Sequence, residues 1–134
     1  MMRFSRSEDY AVILVDELAK HYEKRLVSLS EIAKLHRLSL LFLRNVAKDL
    51  RKAHIIEAVE GKNGGYKLVK HPNKLALGQI IEAVAKRPLF TCCQDTTDGK
   101  CHTNKCSHGF SLQRLNNEVL EKIYNMRLSE VVGQ

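Results

Sequence analysis

Apolar residues return every three or four positions through most of this chain, and near residue 55 the rhythm shortens to that of a strand. Ser5-Arg6-Ser7-Glu8 has the form of a capping box, a serine hydroxyl for an orphan N–H and a glutamate reaching back. A helix is expected from there to about His21, with Tyr10, Ile13, Leu14 and Leu18 along one face. Residues 22–27 are too charged for a core and read as a loop with a short extended piece at Leu26–Val27. Ser28-Leu29-Ser30-Glu31 repeats the capping signature, and Ile32, Ala33 and Leu35 are expected to make a short helix ending near His36. Arg37-Leu38 then gives a tight turn. Ser39 caps a third helix running to about His54, its inner face formed by Leu43, Val46, Ala47 and Leu50 at i, i+3, i+4 and i+7.

Two β-prone runs, Ile55–Glu60 and Tyr66–Val69, flank Gly61-Lys62-Asn63-Gly64-Gly65 and predict a hairpin. Two helices joined by a short turn form a helix-turn-helix, and a hairpin directly behind the second helix is a wing. His71-Pro72-Asn73 breaks the strand, and Leu77–Ala85 predicts a short helix with Ile80, Ile81 and Val84 inward, stopped by Arg87-Pro88. A longer helix is expected from about Phe110 to Met126, with the stripe Leu112, Leu115, Val119, Ile123 and Met126. The expected fold is mostly α with a small β-hairpin wing. It divides into a winged helix-turn-helix domain over 1–86, a cysteine-rich loop over 87–109, and a long dimerisation helix with its tail over 110–134. A homodimer is expected because DNA readers usually bind half-sites as two-fold pairs.

Charge sharpens that picture. The net charge of +7 is concentrated over residues 34–54, where Lys34, Arg37, Arg44, Lys48, Arg51 and Lys52 are opposed only by Asp49. Neutralising phosphates releases condensed counterions, so such a stretch suits a polyanion such as double-stranded DNA. On the third helix, Leu41, Arg44, Asn45, Lys48 and Lys52 share the face opposite the core. Arg and Asn are the side chains that pair bidentately with guanine and adenine edges, while the lysines suit phosphates. Ser28 and Ser39 stand at the helix starts, and Lys62 and Asn63 at the wing tip. No run of apolar residues is long enough to span a membrane, and the first residues lack a signal-type apolar core, so a cytoplasmic protein is expected. The glycine-rich turn lies between strands and lacks the Lys-Ser/Thr of a phosphate-binding loop, which argues against nucleotide binding. Neither an enzyme nor a small-molecule substrate is expected: the thiols form no Cys-x-x-Cys near a βαβ pattern.

All four cysteines, Cys92, Cys93, Cys101 and Cys106, lie between Thr91 and Gly109, a stretch without one aliphatic or aromatic residue. Free cysteine usually serves as a small buried apolar group, and packing cannot explain it here. With His102 and His108 nearby, the donor set predicts a metal or an iron–sulfur cluster. A reducing compartment disfavours disulfides. A structural zinc, or no metal at all, beside the same DNA reader is the alternative.

The order of features resembles the iron–sulfur winged helix-turn-helix transcriptional regulators typified by IscR and NsrR. The likeness rests on Arg3-Phe4-Ser5, Tyr10-Ala11-Val12, Ser39-Leu40, Leu50-Arg51-Lys52, Gly64-Gly65-Tyr66 and Gly78-Gln79-Ile80-Ile81-Glu82-Ala83-Val84 leading to the cysteines. It implies a homodimeric bacterial regulator, a repressor in the usual case. One [2Fe–2S] or [4Fe–4S] cluster per subunit would be held by three cysteines and a weaker fourth ligand, reporting iron–sulfur supply, redox state or nitric oxide. Cys101 and Cys106 match the second and third ligands, and Cys93 the first, with Cys92 as its alternate. IscR-like members complete the cluster with a histidine three positions after the last cysteine; here His108 stands two after, and position 109 is glycine. NsrR-like members use an N-terminal aspartate of the other subunit, matched by Asp9. The chain departs from the family in its cysteine spacing, seven residues and then four between ligands. It also carries Arg44 where IscR has a glutamate, and Glu60 where an arginine usually precedes the wing turn.

Overall fold

The computed structural model describes residues 5–85, 114, 118, 119 and 121–131. The first helix, α1, is Arg6–Lys20, with Ser5 as its N-cap and the Glu8 carboxylate accepting from the Ser5 N–H. Ser28 opens α2 (Leu29–His36), its hydroxyl accepting from the Glu31 N–H at 3.1 Å. Ser39 opens α3 (Leu40–Lys52) in the same way, accepting from Phe42 N–H at 3.4 Å. Both caps fall where the capping signatures predict, because each serine satisfies a donor that the first turn leaves without an intrahelical partner. Between α2 and α3 the chain reverses at Arg37, whose φ of 55° places it in the left-handed region. The Leu38 N–H then closes the turn on the Ala33 carbonyl at 2.8 Å.

Strands β1 (Ile56–Val59) and β2 (Gly65–Leu68) pair antiparallel, with Ile56 opposite Leu68 and Val59 opposite Gly65. Gly61, at φ 124°, supplies a turn conformation that L side chains rarely adopt, and its carbonyl accepts from Gly64 N–H at 3.0 Å. The extended piece expected at Leu26–Val27 has a partner: Val27 exchanges both backbone hydrogen bonds with Tyr66, at 3.1 and 2.8 Å. The wing is thereby tied at its base to the loop entering α2. A 3₁₀ turn at Pro72–Lys74 follows, then α4 (Leu77–Val84). Residues 121–125 are helical, and Leu128–Val131 form a final turn of helix.

The core lies around α1, which packs on α3, α4 and β2. Ala11, Leu14, Val15 and Leu18 of α1 are sealed from solvent, centring its inner face between Leu14 and Val15; Tyr10 and Ile13 lie at its rim. The α3 stripe Leu43, Val46, Ala47 and Leu50 is buried as its spacing requires, and Ile80, Ile81 and Val84 of α4 close the far side. Two large apolar side chains lie outward. Leu35 is 65 % exposed, because the inward stripe of α2 is Leu29, Ile32 and Ala33 and Leu35 lies about a third of a turn away from it. The next position along that stripe is held by His36, whose Nε2 lies 3.0 Å from Glu17 of α1. Met126 is also exposed, because the chain leaves the helix there: its carbonyl accepts from Leu77 N–H, and Arg127 bridges Ala76. Leu128 is instead the buried residue, at 0 % exposure, with its N–H on the Leu75 carbonyl at 3.0 Å. The end of the described chain therefore completes the core of the first 85 residues. Most of the expected Phe110–Met126 helix and the stop at Arg87-Pro88 lie outside the described residues.

Gly78 lets that return happen. A Cβ at Gly78 would fall on the ring and Cα of Tyr124, so a hydrogen there permits the helical residues 121–125 to press against α4. Burial, together with the Glu82 carboxylate that takes its hydrogen bond, raises the Tyr124 hydroxyl above the ordinary phenol range. Among the described residues no helix is long and apolar enough to cross a membrane.

Glu17 is the polar pin of the domain, with only 7 % of its side chain exposed. Burial alone would raise its carboxyl, but hydrogen bonds from Lys20 at 2.7 Å and from His36 outweigh that, so the group sits below the ordinary carboxylate range. Its contribution to stability is then present above the unfolded glutamate value and lost as pH falls through the depressed folded one.

Two outcomes are expected. Gly78→Ala should destabilise the fold by about 1–3 kcal/mol, the usual cost of overpacking, read as a lower urea midpoint. An unchanged midpoint would show that the two segments separate freely. Glu17→Gln should cost about 1–3 kcal/mol at pH 7, and the gap to the unaltered protein should close as pH falls below about 4.3. A gap that stays constant down to pH values near 3 would remove Glu17 as the titrating pin.

Candidate nucleic-acid interface

The candidate reading surface is built by the burial of one side of α3. With Leu43, Val46, Ala47 and Leu50 in the core, helical geometry sends Leu41, Arg44, Asn45, Lys48 and Lys52 outward, and all five are exposed. Among the described residues, none of Arg44, Lys48 and Lys52 takes part in an ion pair. Ser28 and Ser39 are exposed at the N-termini of α2 and α3, where backbone N–H groups and helix dipoles favour phosphate. Lys62 and Asn63 occupy the centre of the wing turn and are exposed as well. The other wing charges are matched: Lys67 Nζ lies 2.8 Å from Glu57, directly across the ladder.

The start of α3 is held from below by a contact that sequence periodicity did not predict. Tyr10 of α1 projects its hydroxyl to the Ser39 backbone N–H, which donates to it at 3.1 Å. The Tyr10 ring meets Phe42 edge-on, with centroids 4.8 Å apart and planes at 78°. The Arg6 guanidinium lies 5.9 Å from the other ring's centroid, over Phe42. Spacing alone assigned Tyr10 to the apolar face of α1. The available signal was its hydroxyl, a polar handle that a half-buried tyrosine normally satisfies. A second tie, Glu17 to His36, fixes α2 against the same helix. Its signal was a carboxylate standing between the inward positions Leu14 and Leu18.

Of the candidate cluster ligands, only Asp9 is among the described residues, exposed in the first turns of α1 next to Tyr10. Cys92, Cys93, Cys101, Cys106 and His108 lie outside them. Among the described residues, no three of His, Cys, Asp and Glu gather as a metal site.

Comparison with known proteins places this arrangement. The family model for Rrf2, Iron-dependent Transcriptional regulator, matches residues 4–134. The chain belongs to the Rrf2 family. It is 30% identical over 132 residues to the HTH-type transcriptional regulator IscR of Pectobacterium carotovorum, covering 98% of this chain and 80% of that protein. Its fold matches CymR, the global cysteine regulator of B. subtilis, with a TM-score of 0.80, 23% identity, and coverage of 98% of this chain and 97% of that one. T. potens IscR superposes with a TM-score of 0.74 at 24% identity, over 98% of this chain and 86% of that one. As an Rrf2-family member the protein is a DNA-binding transcriptional regulator and not an enzyme. The two-stranded hairpin behind α3 is the wing of a winged helix-turn-helix.

The Tyr10 clasp gives this Rrf2 protein a testable feature. Tyr10→Phe keeps the ring packing and deletes one hydrogen bond, so it should cost about 1 kcal/mol of stability. Because the lost bond holds the start of α3, the candidate recognition helix, affinity for a selected operator should fall while affinity for random duplex stays level, as measured by fluorescence anisotropy. An equal loss on both duplexes would reassign Tyr10 to backbone contact.

Proposed function

We propose that this protein is a homodimeric, cytoplasmic repressor whose affinity for promoter DNA is set by an iron–sulfur cluster, one per subunit. In this reading Ser39, Leu41, Arg44, Asn45 and Lys48 face the major groove, with Ser28 and Lys52 on phosphates. Lys62 and Asn63 carry the wing to the neighbouring backbone. The observation that carries the DNA half is the basic face of α3, without ion pairs at Arg44, Lys48 and Lys52 among the described residues and opposite a fully buried stripe.

The cluster half rests on donor chemistry. Four soft thiolates in a segment without one aliphatic or aromatic side chain fit an iron–sulfur group and give packing nothing to use. Cys93, Cys101 and Cys106 would hold it, with Cys92 as the alternate first ligand and His108 or Asp9 of the other subunit as the fourth. Relatives named IscR, and a family described as iron-dependent, support the same assignment. When bound, the cluster supplies a thiolate crosslink that oxidants, nitric oxide or loss of iron can break. The protein's own part is the connection to the reader. Tyr124, beyond the cysteines in sequence, lies against Gly78 of α4, and Asp9 adjoins the Tyr10 that holds Ser39. Segments tied at those points bias the population of the DNA-competent form by whatever they gain in one state over the other.

The test is anaerobic purification with visible absorption, iron and sulfide analysis, followed by operator titration before and after cluster removal. A brown protein with comparable iron and sulfide, colourless as Cys101→Ser, is expected, with operator affinity changing about 5- to 150-fold on cluster loss. A colourless protein holding zinc would leave the DNA reader and remove the redox switch.

A further inference from the structure

Leu41 is the most exposed of the large apolar side chains among the described residues, at 71 %, and it sits on the first turn of α3. Nothing in the fold asks for leucine there. The core side of the helix is already complete, and a polar residue would serve a solvated face at no hydrophobic cost. Its surroundings decide what covers it. Ser39 caps the same turn, Arg44 and Asn45 follow at i+3 and i+4, and Lys48 at i+7, a row of donors and charge that suits DNA. An apolar protein partner would have to bury Arg44 and Lys48 without counter-charges. In a major groove, by contrast, those groups meet base edges and phosphates. The N-terminal turn of a recognition helix is the part that contacts base edges. The apolar group on that floor is the C5-methyl of thymine.

We propose that Leu41 is a specificity-determining residue that reads a thymine C5-methyl in each half-site, beside the base pairs met by Arg44 and Asn45. The assignment rests on the DNA-reading role of α3 and adds the identity of one base. It also carries a chemical corollary: cytosine methylated at C5 presents the same methyl in the same groove, so 5-methylcytosine should partly replace thymine at that position while unmodified cytosine should not.

The experiment starts from an operator selected out of random duplex by the full-length protein itself. Each thymine is then replaced singly by deoxyuridine, which removes the methyl and leaves pairing intact. One symmetry-related position should weaken binding roughly fourfold, the worth of one buried methyl group. Leu41→Ala should bind the thymine and uracil operators equally well. Because Leu41 is solvent-exposed, its removal leaves the core untouched, and an unchanged urea midpoint checks this. The assignment is overturned if no thymine is methyl-sensitive, if Leu41→Ala keeps the thymine-over-uracil preference, or if it weakens both operators while preserving their ratio. A protein that enriches no sequence over random duplex would remove operator reading itself. A defined operator with no methyl-sensitive position removes only the role of Leu41.

Discussion

The position of α1 beneath both α3 and α4 is the constraint on which the rest of the molecule depends. Its inner face is small at Ala11 and branched or long at Leu14, Val15 and Leu18, and all four are sealed. The small side chain lets a neighbouring helix approach, and the large ones fill the space beyond it. Because α3 must lay Leu43, Val46, Ala47 and Leu50 on that face, its opposite side has one orientation, fixed at 100° per residue. The direction in which Arg44 and Asn45 point is thus a consequence of hydrophobic burial several ångströms away. α4 uses the other flank of α1 and, through Gly78, draws the end of the described chain back onto the same core.

Apolar packing of this kind fixes which face is inward more firmly than it fixes the axial position of a helix, since hydrophobic contact has little directionality. The directional part comes from a few hydrogen bonds between helices. Ser39 N–H on the Tyr10 hydroxyl ties the start of α3 to α1, and His36 on Glu17 ties the end of α2 to the same helix. Each is worth a small fraction of the hydrophobic total, but each is specific to one geometry. Arg37 in the left-handed turn lies between them, so a residue that disfavours this conformation is held by ties on both sides.

Much of this was legible from residue pattern. The serine caps, the i, i+3, i+4, i+7 stripe of α3 and the glycine-bearing turn between two β-prone runs are local signals, and local physics decides them. Pattern alone does not carry the ties between segments. The partner that His36 finds in Glu17 of α1, 19 residues away, and the pairing of Arg127 with Ala76 that precedes the buried Leu128 both join groups beyond the reach of a periodicity window. The cysteines were legible in a different sense: a donor set announces chemistry by its composition, whereas the choice among Cys92, Cys93, His108 and Asp9 depends on geometry between segments and subunits.

The same division between charge and geometry limits how such a regulator can be switched. Arg44, Lys48, Lys52 and Lys62 carry their charge whether or not anything is bound among the cysteines, and they are exposed and unpaired among the described residues. The attraction such charges have for duplex DNA comes from counterion release, which depends on salt and on the number of phosphates met, and is indifferent to sequence. A signal arriving through Asp9 or through the segment anchored at Tyr124 leaves that attraction in place. In the proposed dimer, what it can alter is the placement of α3 relative to its counterpart and the clasp at Ser39, and these would govern base contacts and half-site spacing. A switch of the proposed kind would therefore act on discrimination more than on affinity for DNA as such. Its effect is largest where salt is high enough to suppress non-specific binding and expose the sequence-dependent part.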